Sequence, residues 1–316
     1  MSSRIDLDAP EPRAYTSYRH LIHLHTAGLH KSGLKPVQAF RPQTGITRSQ
    51  HLGRGLEFAE LKPYQPGDDT RHMDWKATAR TGTPWLRAFE ADQQRAVTCI
   101  VDQTSDLFFG SKVFTKALVA AELAALCCWD HLALGYSTQL VLQTDQSLEL
   151  GQTMTNAEQL SSHLRLLADY NQALRAFQVN AQRDNEKVVL EHLSRQTQRQ
   201  DVYWFSSPTQ WQNNSTRELA VLGQHHDIHL VLICDPWDTR MDQLQGFDLV
   251  GRTGRRVATS QYKSGDLSEA GQRRADSENS LIADLRGMGV AVYPTNSVQD
   301  ARQQYRAHYG FGRFEV

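Results

Sequence analysis

From residue 93 onward the apolar positions fall into short blocks separated by longer, half-polar stretches. Ala96–Val101 (AVTCIV), Ser137–Leu142 (STQLVL), Val202–Phe205, Ile228–Cys234 (IHLVLIC) and Val290–Tyr293 are compact apolar runs, the pattern of strands buried on both faces. Between them the spacing predicts helices over 112–132, near 155–177, 184–198 and 215–224, over 266–288 and over about 297–307. The first of these is almost wholly apolar and is therefore expected to be buried. Ser147–Leu150 is expected to pair with the second strand, and Phe247–Ser260 reads as a hairpin around Arg252-Thr253-Gly254-Arg255. Strand and helix in alternation predict a mostly parallel sheet covered by helices on both faces. In such sheets ligands bind beyond the carboxyl ends of the strands. The segments that follow Val101, Phe205 and Cys234, and the stretch near Thr153, are therefore the ones to watch.

The first 92 residues break this rhythm. Residues 1–12 are polar and carry two prolines. From Arg13 to about Lys31, Tyr15, Tyr18, Leu21, Ile22 and Leu29 recur at the spacing of a helix with one buried face. A polar link runs to about Ser49. Residues 50–92 then show no helical period and are dense in Gly, Pro, aromatic and charged residues, which predicts short strands joined by tight turns at Pro66-Gly67 and Thr83-Pro84. The expected segments are thus 1–49 (tail and helix), 50–92 (a strand-and-turn module) and 93–316 (the α/β domain).

Composition sharpens the class. A chain of 316 residues, 40% hydrophobic and 22% charged, can bury a core without disulfides or metal. Its 34 Lys+Arg against 35 Asp+Glu give a net charge of −1, without the basic excess of a nucleic-acid binder. The N-terminus lacks the apolar core of a signal peptide. The longest apolar run, Ala117–Trp129, is interrupted by Glu122 and too short to span a bilayer. A cytoplasmic protein without a membrane span is the expectation. The four cysteines, Cys99, Cys127, Cys128 and Cys234, form no C-x-x-C pair and read as buried, reduced thiols.

Three constellations are candidates for chemistry. Asp102-Gln103-Thr104-Ser105-Asp106 follows the first buried strand, and its alternating oxygens suit either a hard cation such as Mg²⁺ or the capped start of the next helix. Residues 53–92 hold seven acids and six bases, a balance that favours mutual ion pairing, Arg71 with Asp74 included, over a phosphate-binding field. Within that stretch Glu57, Asp74 and Lys76 also match a common acid…acid-x-Lys pattern of metal-dependent nucleases. The histidines His20, His23, His25 and His30 lack the i, i+4 spacing of a zinc site and read as solvated or half-buried. No P-loop, G-x-S-x-G or H-E-x-x-H is present.

The ordered run Gly53-x-Gly55-x-Glu57-Phe58, Tyr64-x-x-Gly67-Asp68-Asp69, Arg71-x-x-Asp74-Trp75 and Ala79-Arg80 resembles the signature of the domain of unknown function 58 family. The resemblance implies a von Willebrand A-like, Rossmann-like domain after the signature module. It also implies a partnership with MoxR-type AAA+ ATPases, since relatives are often encoded beside them. The residues it singles out for binding are Glu57, Tyr64, Gly67, Asp68, Arg71, Asp74, Trp75 and Arg80. By the same resemblance, a metal-ion-dependent adhesion site would draw on Asp102, Thr104, Asp106 and a second-loop threonine, Thr155 or Thr153. Asp106 here stands where the pattern has Ser, and Ser206-Ser207 stand where it has an Asp. The implied function is a non-catalytic adaptor that couples the ATPase to a client protein, in chaperone-like remodelling or metal insertion. The alternative is a metal-dependent nuclease or hydrolase using Glu57, Asp74 and Lys76.

Overall fold

The structure is a computed structural model. It describes residues 13–26, 58–65, 70, 73–89, 96–174, 185–211, 213–250 and 256–308. The chain divides into two compact units, residues 39–94 and the remainder. Helix α1 (Tyr18–Thr26) belongs to the larger unit.

The smaller unit is an antiparallel pair, β1 (Phe58–Pro63) and β2 (Trp85–Phe89), with helix α2 (Trp75–Thr81) between them in sequence. The strand-and-turn expectation holds for β1 and β2 but omits α2. That helix has no apolar stripe to betray it, because Ala77 is its one buried residue. Its ends define it instead. Asp74 caps the N-terminus by accepting from Ala77 N at 2.9 Å, and Gly82, at φ 72°, closes the C-terminus.

The larger unit is a Rossmann-like α/β sheet. Its strands are β3 (Ala96–Gln103), β4 (Ser137–Thr144), β5 (Leu148–Leu150), β6 (Asp201–Ser206), β7 (Asp227–Cys234) and β10 (Ala291–Asn296), in the order β10-β7-β6-β3-β4-β5. All neighbours are parallel except β4 and β5. A separate hairpin, β8 (Asp248–Val250) and β9 (Arg256–Ala258), lies where the sequence predicts it.

Side chains alternate across the sheet. Val97, Cys99 and Val101 join a core with helices α3 (Lys116–Ala133), α4 (Ala157–Ala173), α9 (Ala301–His308) and α1. Ile100, Val202 and Trp204 face the opposite core, made with α5 (Asn185–Ser194), α6 (Asn213–Leu222) and α8 (Ser264–Gly287). Helix α3 is buried along nearly its whole length, as its composition demands.

The N-terminal helix, which the sequence places in a segment of its own, packs on α3 and α4. Its attachment is partly ionic. Glu122, 1% exposed in the middle of α3, meets Arg13 at 3.0 Å and His20 at 3.1 Å, and accepts from Thr16 Oγ1. A second buried link runs from Thr16 N to Asn171 Oδ1 and from Asn171 Nδ2 to Gln103 Oε1, at 2.8 and 2.9 Å. A short helix, α7 (Pro236–Thr239), follows β7. Gly271 of α8 lies so close to it that an added Cβ would stand 2.1 Å from Thr239 O. No helix among the described residues is long and apolar enough to cross a membrane.

Candidate functional site

The carboxyl end of the parallel sheet gathers several buried polar residues of the larger unit. Asp102, paired in register with Gln143 of β4, stands on the same face as Ile100. Val101 pairs with Phe205, which brings Ser206 alongside Asp102 on the neighbouring strand. Gln143, Asp102 and Ser206 thus form a row across three strands, each about 1% exposed. Asp102 Oδ1 accepts from Trp204 Nε1 at 3.1 Å, and Trp204 packs edge-on against Trp211. The hydroxyls of Thr104 and Ser206 and both ends of the Gln143 amide are buried without a protein hydrogen-bond partner. Each such atom costs free energy unless something polar meets it. Buried hydroxyl and amide oxygens beside a carboxylate are, in donor type, what a hard cation such as Mg²⁺ accepts.

The loops above this row are fastened by carboxylates. Ser105 donates from its backbone and its hydroxyl to Asp145, just past β4, at 3.0–3.2 Å. Gln210, in the turn after β6, donates to Asp106 Oδ2 at 3.1 Å. Asp235, directly after β7, accepts from Ser111 N, Trp237 N and the Ser297 hydroxyl, which joins it to the loops after β3 and β10. Burial acts against the Asp235 carboxylate, but these hydrogen bonds together outweigh it and hold its pKa below the usual carboxylate range. Asp238 accepts from the Asp235 backbone, from Lys116 Nζ at 3.0 Å and from Arg274 Nη2 at 3.3 Å. Lys116 is only 2% exposed, at the start of α3, with its ammonium 5.5 Å from the ring of Phe109. Beside this network Glu278 is pushed above its ordinary pKa by burial, against the pull of Arg274.

The structure separates the sequence-predicted residues into groups. Asp102 and Thr104 lie together. Asp106 lies in the same loop but is held by Gln210. Thr155 is elsewhere: the chain leaves β4, returns antiparallel as β5, and runs on to Met154, which bridges Thr138 at the amino end of β4. Thr138 pairs with Val97, five positions before Asp102, so Thr155 lies about 16 Å away along the strand direction. Thr153 also lines the amino-end side of the sheet, with Thr98 and Ser137. Neither threonine can serve an Asp102 site, and Ser206 and Gln143 occupy the neighbouring positions instead. Among the described residues no group of three His, Cys, Asp or Glu side chains is arranged to hold a metal ion.

Of the signature residues, Glu57, Gly67, Asp68 and Arg71 lie outside the described residues, so the Arg71–Asp74 pair does too. Tyr64 N donates to Pro84 O at 2.9 Å. Asp74 is the helix cap, which engages its carboxylate in the backbone of α2. Trp75, Lys76 and Arg80 are exposed. His20 engages Glu122, His23 is exposed, and His30 lies outside the described residues. Cys99, Cys127 and Cys128 are buried thiols whose pKa values are raised, Cys99 and Cys127 chiefly by burial and Cys128 chiefly by its contact with Cys99.

The larger unit is therefore an α/β protein with a buried polar row and a set of fastened loops at the carboxyl end of its sheet. The family described as "Protein of unknown function DUF58" matches residues 60–264, and the chain belongs to that family. It is 27% identical over 201 residues to uncharacterized proteins of Mycobacterium tuberculosis (Rv1480) and Mycobacterium bovis. Each alignment covers 62% of this chain and 62% of the relative, so the chain matches under two thirds of the length of these curated relatives. Among solved structures it is similar to a conserved hypothetical protein, BatB, from Bacteroides thetaiotaomicron, at 7% identity and a TM-score of 0.35, over 66% of this chain and 94% of that one. It is also similar to a mutant of the PilB minor pilin from Streptococcus sanguinis, at 8% identity and a TM-score of 0.38, over 70% and 62%. At these scores neither structure adds to the assignment.

Proposed function

We propose that this chain is a non-catalytic adaptor whose larger unit is von Willebrand A-like and whose contact surface is the carboxyl end of the sheet. The observation that carries this reading is the use of carboxylates there. Asp106, Asp145, Asp235 and Asp238 each bind a neighbouring loop, backbone or cation of the same chain, and Asp102 accepts from the Trp204 indole of the next strand. Carboxylates engaged in this way fix loop positions and leave a preorganised surface, which lowers the ordering cost of association. The same rim exposes Phe109 (37%) and Phe247 (52%), the latter packed on Trp237, as apolar contacts. Aromatic side chains are enriched in the central contacts of protein interfaces.

The partner we assign is a MoxR-type AAA+ ATPase, with the adaptor linking it to a client for remodelling or metal insertion. Mg²⁺ is the cation that the row at Asp102 would hold, through Asp102, the hydroxyls of Thr104 and Ser206 and the amide oxygen of Gln143. It would supply a charge that a partner carboxylate can meet. The test is a binding titration of the immobilised full chain with the MoxR-type ATPase of its own organism, in ATP, in ADP and without nucleotide, with and without Mg²⁺. A nucleotide-dependent complex that is weakened by Phe109→Asp and Phe247→Asp supports the reading. Absence of a complex in every nucleotide state overturns it.

A further inference from the structure

The smaller unit carries a second contact surface, independent of the partner assigned to the sheet. Helix α2 is two turns long and buries only Ala77. At 100° per residue, Trp75, Lys76, Ala79 and Arg80 span an arc of about 140° on the side away from Ala77. All four are exposed, and Trp75 is 70% exposed, the highest value among the large apolar side chains described. The helix is held in register without them. Asp74 caps its start, the Thr78 hydroxyl accepts from Trp85 N at 2.9 Å, and the Thr81 hydroxyl accepts from Trp85 Nε1 at 2.8 Å. The two tryptophans of the smaller unit thus differ. Trp85 is tied into the fold, whereas Trp75 stands in solvent at one edge of a face that carries two cations.

A solvated tryptophan is an unfavourable use of a large apolar side chain in a free monomer, and Trp with Arg is the pair of residue types most enriched where binding energy concentrates. We propose that this face of α2 docks a protein segment that presents acidic side chains to one side of an apolar anchor. The anchor would cover the Trp75 ring, and the carboxylates would meet Lys76 and Arg80, which lie on one side of it, about 100° and 140° round the helix. Arg80 can take a carboxylate bidentately, while Lys76 acts as a point charge. The charge count on the face favours a protein over the other anionic partners. Binding to nucleic acid at physiological salt rests on about 6–10 phosphate contacts, and stable attachment to an anionic membrane on a polybasic cluster or a second anchor. Two cations beside one tryptophan fall short of both, but suffice for a short acidic segment.

The test is selection of a displayed library of random linear peptides on the immobilised full chain. Enriched peptides are expected to carry several Asp or Glu to one side of an apolar residue and to bind more weakly as NaCl rises. Trp75→Ala is expected to lower their affinity at least about tenfold. The double substitution Lys76→Glu with Arg80→Glu is expected to abolish binding, with the melting temperature unchanged in both variants. Where charge reversal lowers the melting temperature, Lys76→Gln with Arg80→Gln replaces it and is expected to weaken binding in the same direction. Enrichment without acidic bias, acidic peptides indifferent to these variants, or no enrichment overturns the proposal. So does tighter, Trp75-dependent binding to phosphatidylglycerol vesicles or to single-stranded RNA, used as comparators.

Discussion

Removing the carboxylate of Asp238 tests whether the loops at the carboxyl end are held as described. Lys116 and Asp238 meet at 3.0 Å with side chains only 3% and 9% exposed. Asp238→Ala leaves the Lys116 ammonium buried without the carboxylate it meets at 3.0 Å, and also removes the acceptor for the Asp235 backbone and for Arg274. Breaking a buried pair from one side costs about 3–5 kcal/mol, most of it the penalty of the stranded charge. For a unit of this size about 1 kcal/mol shifts the melting temperature by about 2–4 °C, so a fall of about 6–20 °C is expected. Lys116→Met is milder, because Asp238 keeps Arg274 and the Asp235 backbone. The double variant Lys116→Met with Asp238→Leu removes both charges and is expected to recover most of the loss. Thermal and urea denaturation followed by circular dichroism give all three values. A loss below about 1 kcal/mol in Asp238→Ala would refute the reasoning, since it would mean that water reaches the pair.

Three further outcomes follow from other parts of the larger unit. Glu122→Ala strips Arg13 and Thr16 of their shared acceptor and removes the carboxylate beside His20, so limited proteolysis is expected to cut the N-terminal segment faster than in the parent chain. Gly271→Ala drives a methyl group to within 2.1 Å of Thr239 O and should cost about 1–3 kcal/mol in a denaturant titration. Asp130 is raised by burial, against a hydrogen bond from Tyr305, from 3.8 to about 6. Its folded pKa exceeds its unfolded one, so its contribution is most favourable below about pH 4 and is lost as pH rises through about 6. Asp130→Asn should therefore gain stability relative to the parent chain between those limits, by up to about 3 kcal/mol in parallel melts. A pH-independent difference would show that Asp130 is solvated.

The sheet was readable because its strands are buried on both faces and so appear as continuous apolar runs. β3, β4, β6, β7 and β10 all lie on the predicted segments, and β5 pairs as expected. Three features were not readable from periodicity. Helix α2 has no apolar stripe, although Asp74 and Gly82 bracket it as cap residues, a signal that the sequence contains. Thr155 was misplaced because the spacing along the chain does not reveal that β5 turns the backbone round and returns it to the amino end. The Asp235–Asp238 network was missed because its partners, Lys116 and Arg274, are distant in sequence. Its local mark is Asp-Pro-Trp-Asp directly after an apolar strand, which the structure shows to be a capping box with Pro in the first turn. Glu122 had a plainer mark, a lone acid inside an apolar helix, which buries only where cations meet it.

The most direct test of the adaptor reading is amide hydrogen exchange of the full chain alone and with the MoxR-type ATPase in ATP and Mg²⁺. The account predicts new protection in the loops 104–115 and 235–247 at the carboxyl end of the sheet, with the amino-end segment 151–156 unchanged. Binding that leaves those loops unprotected, or that protects the amino end instead, would contradict it.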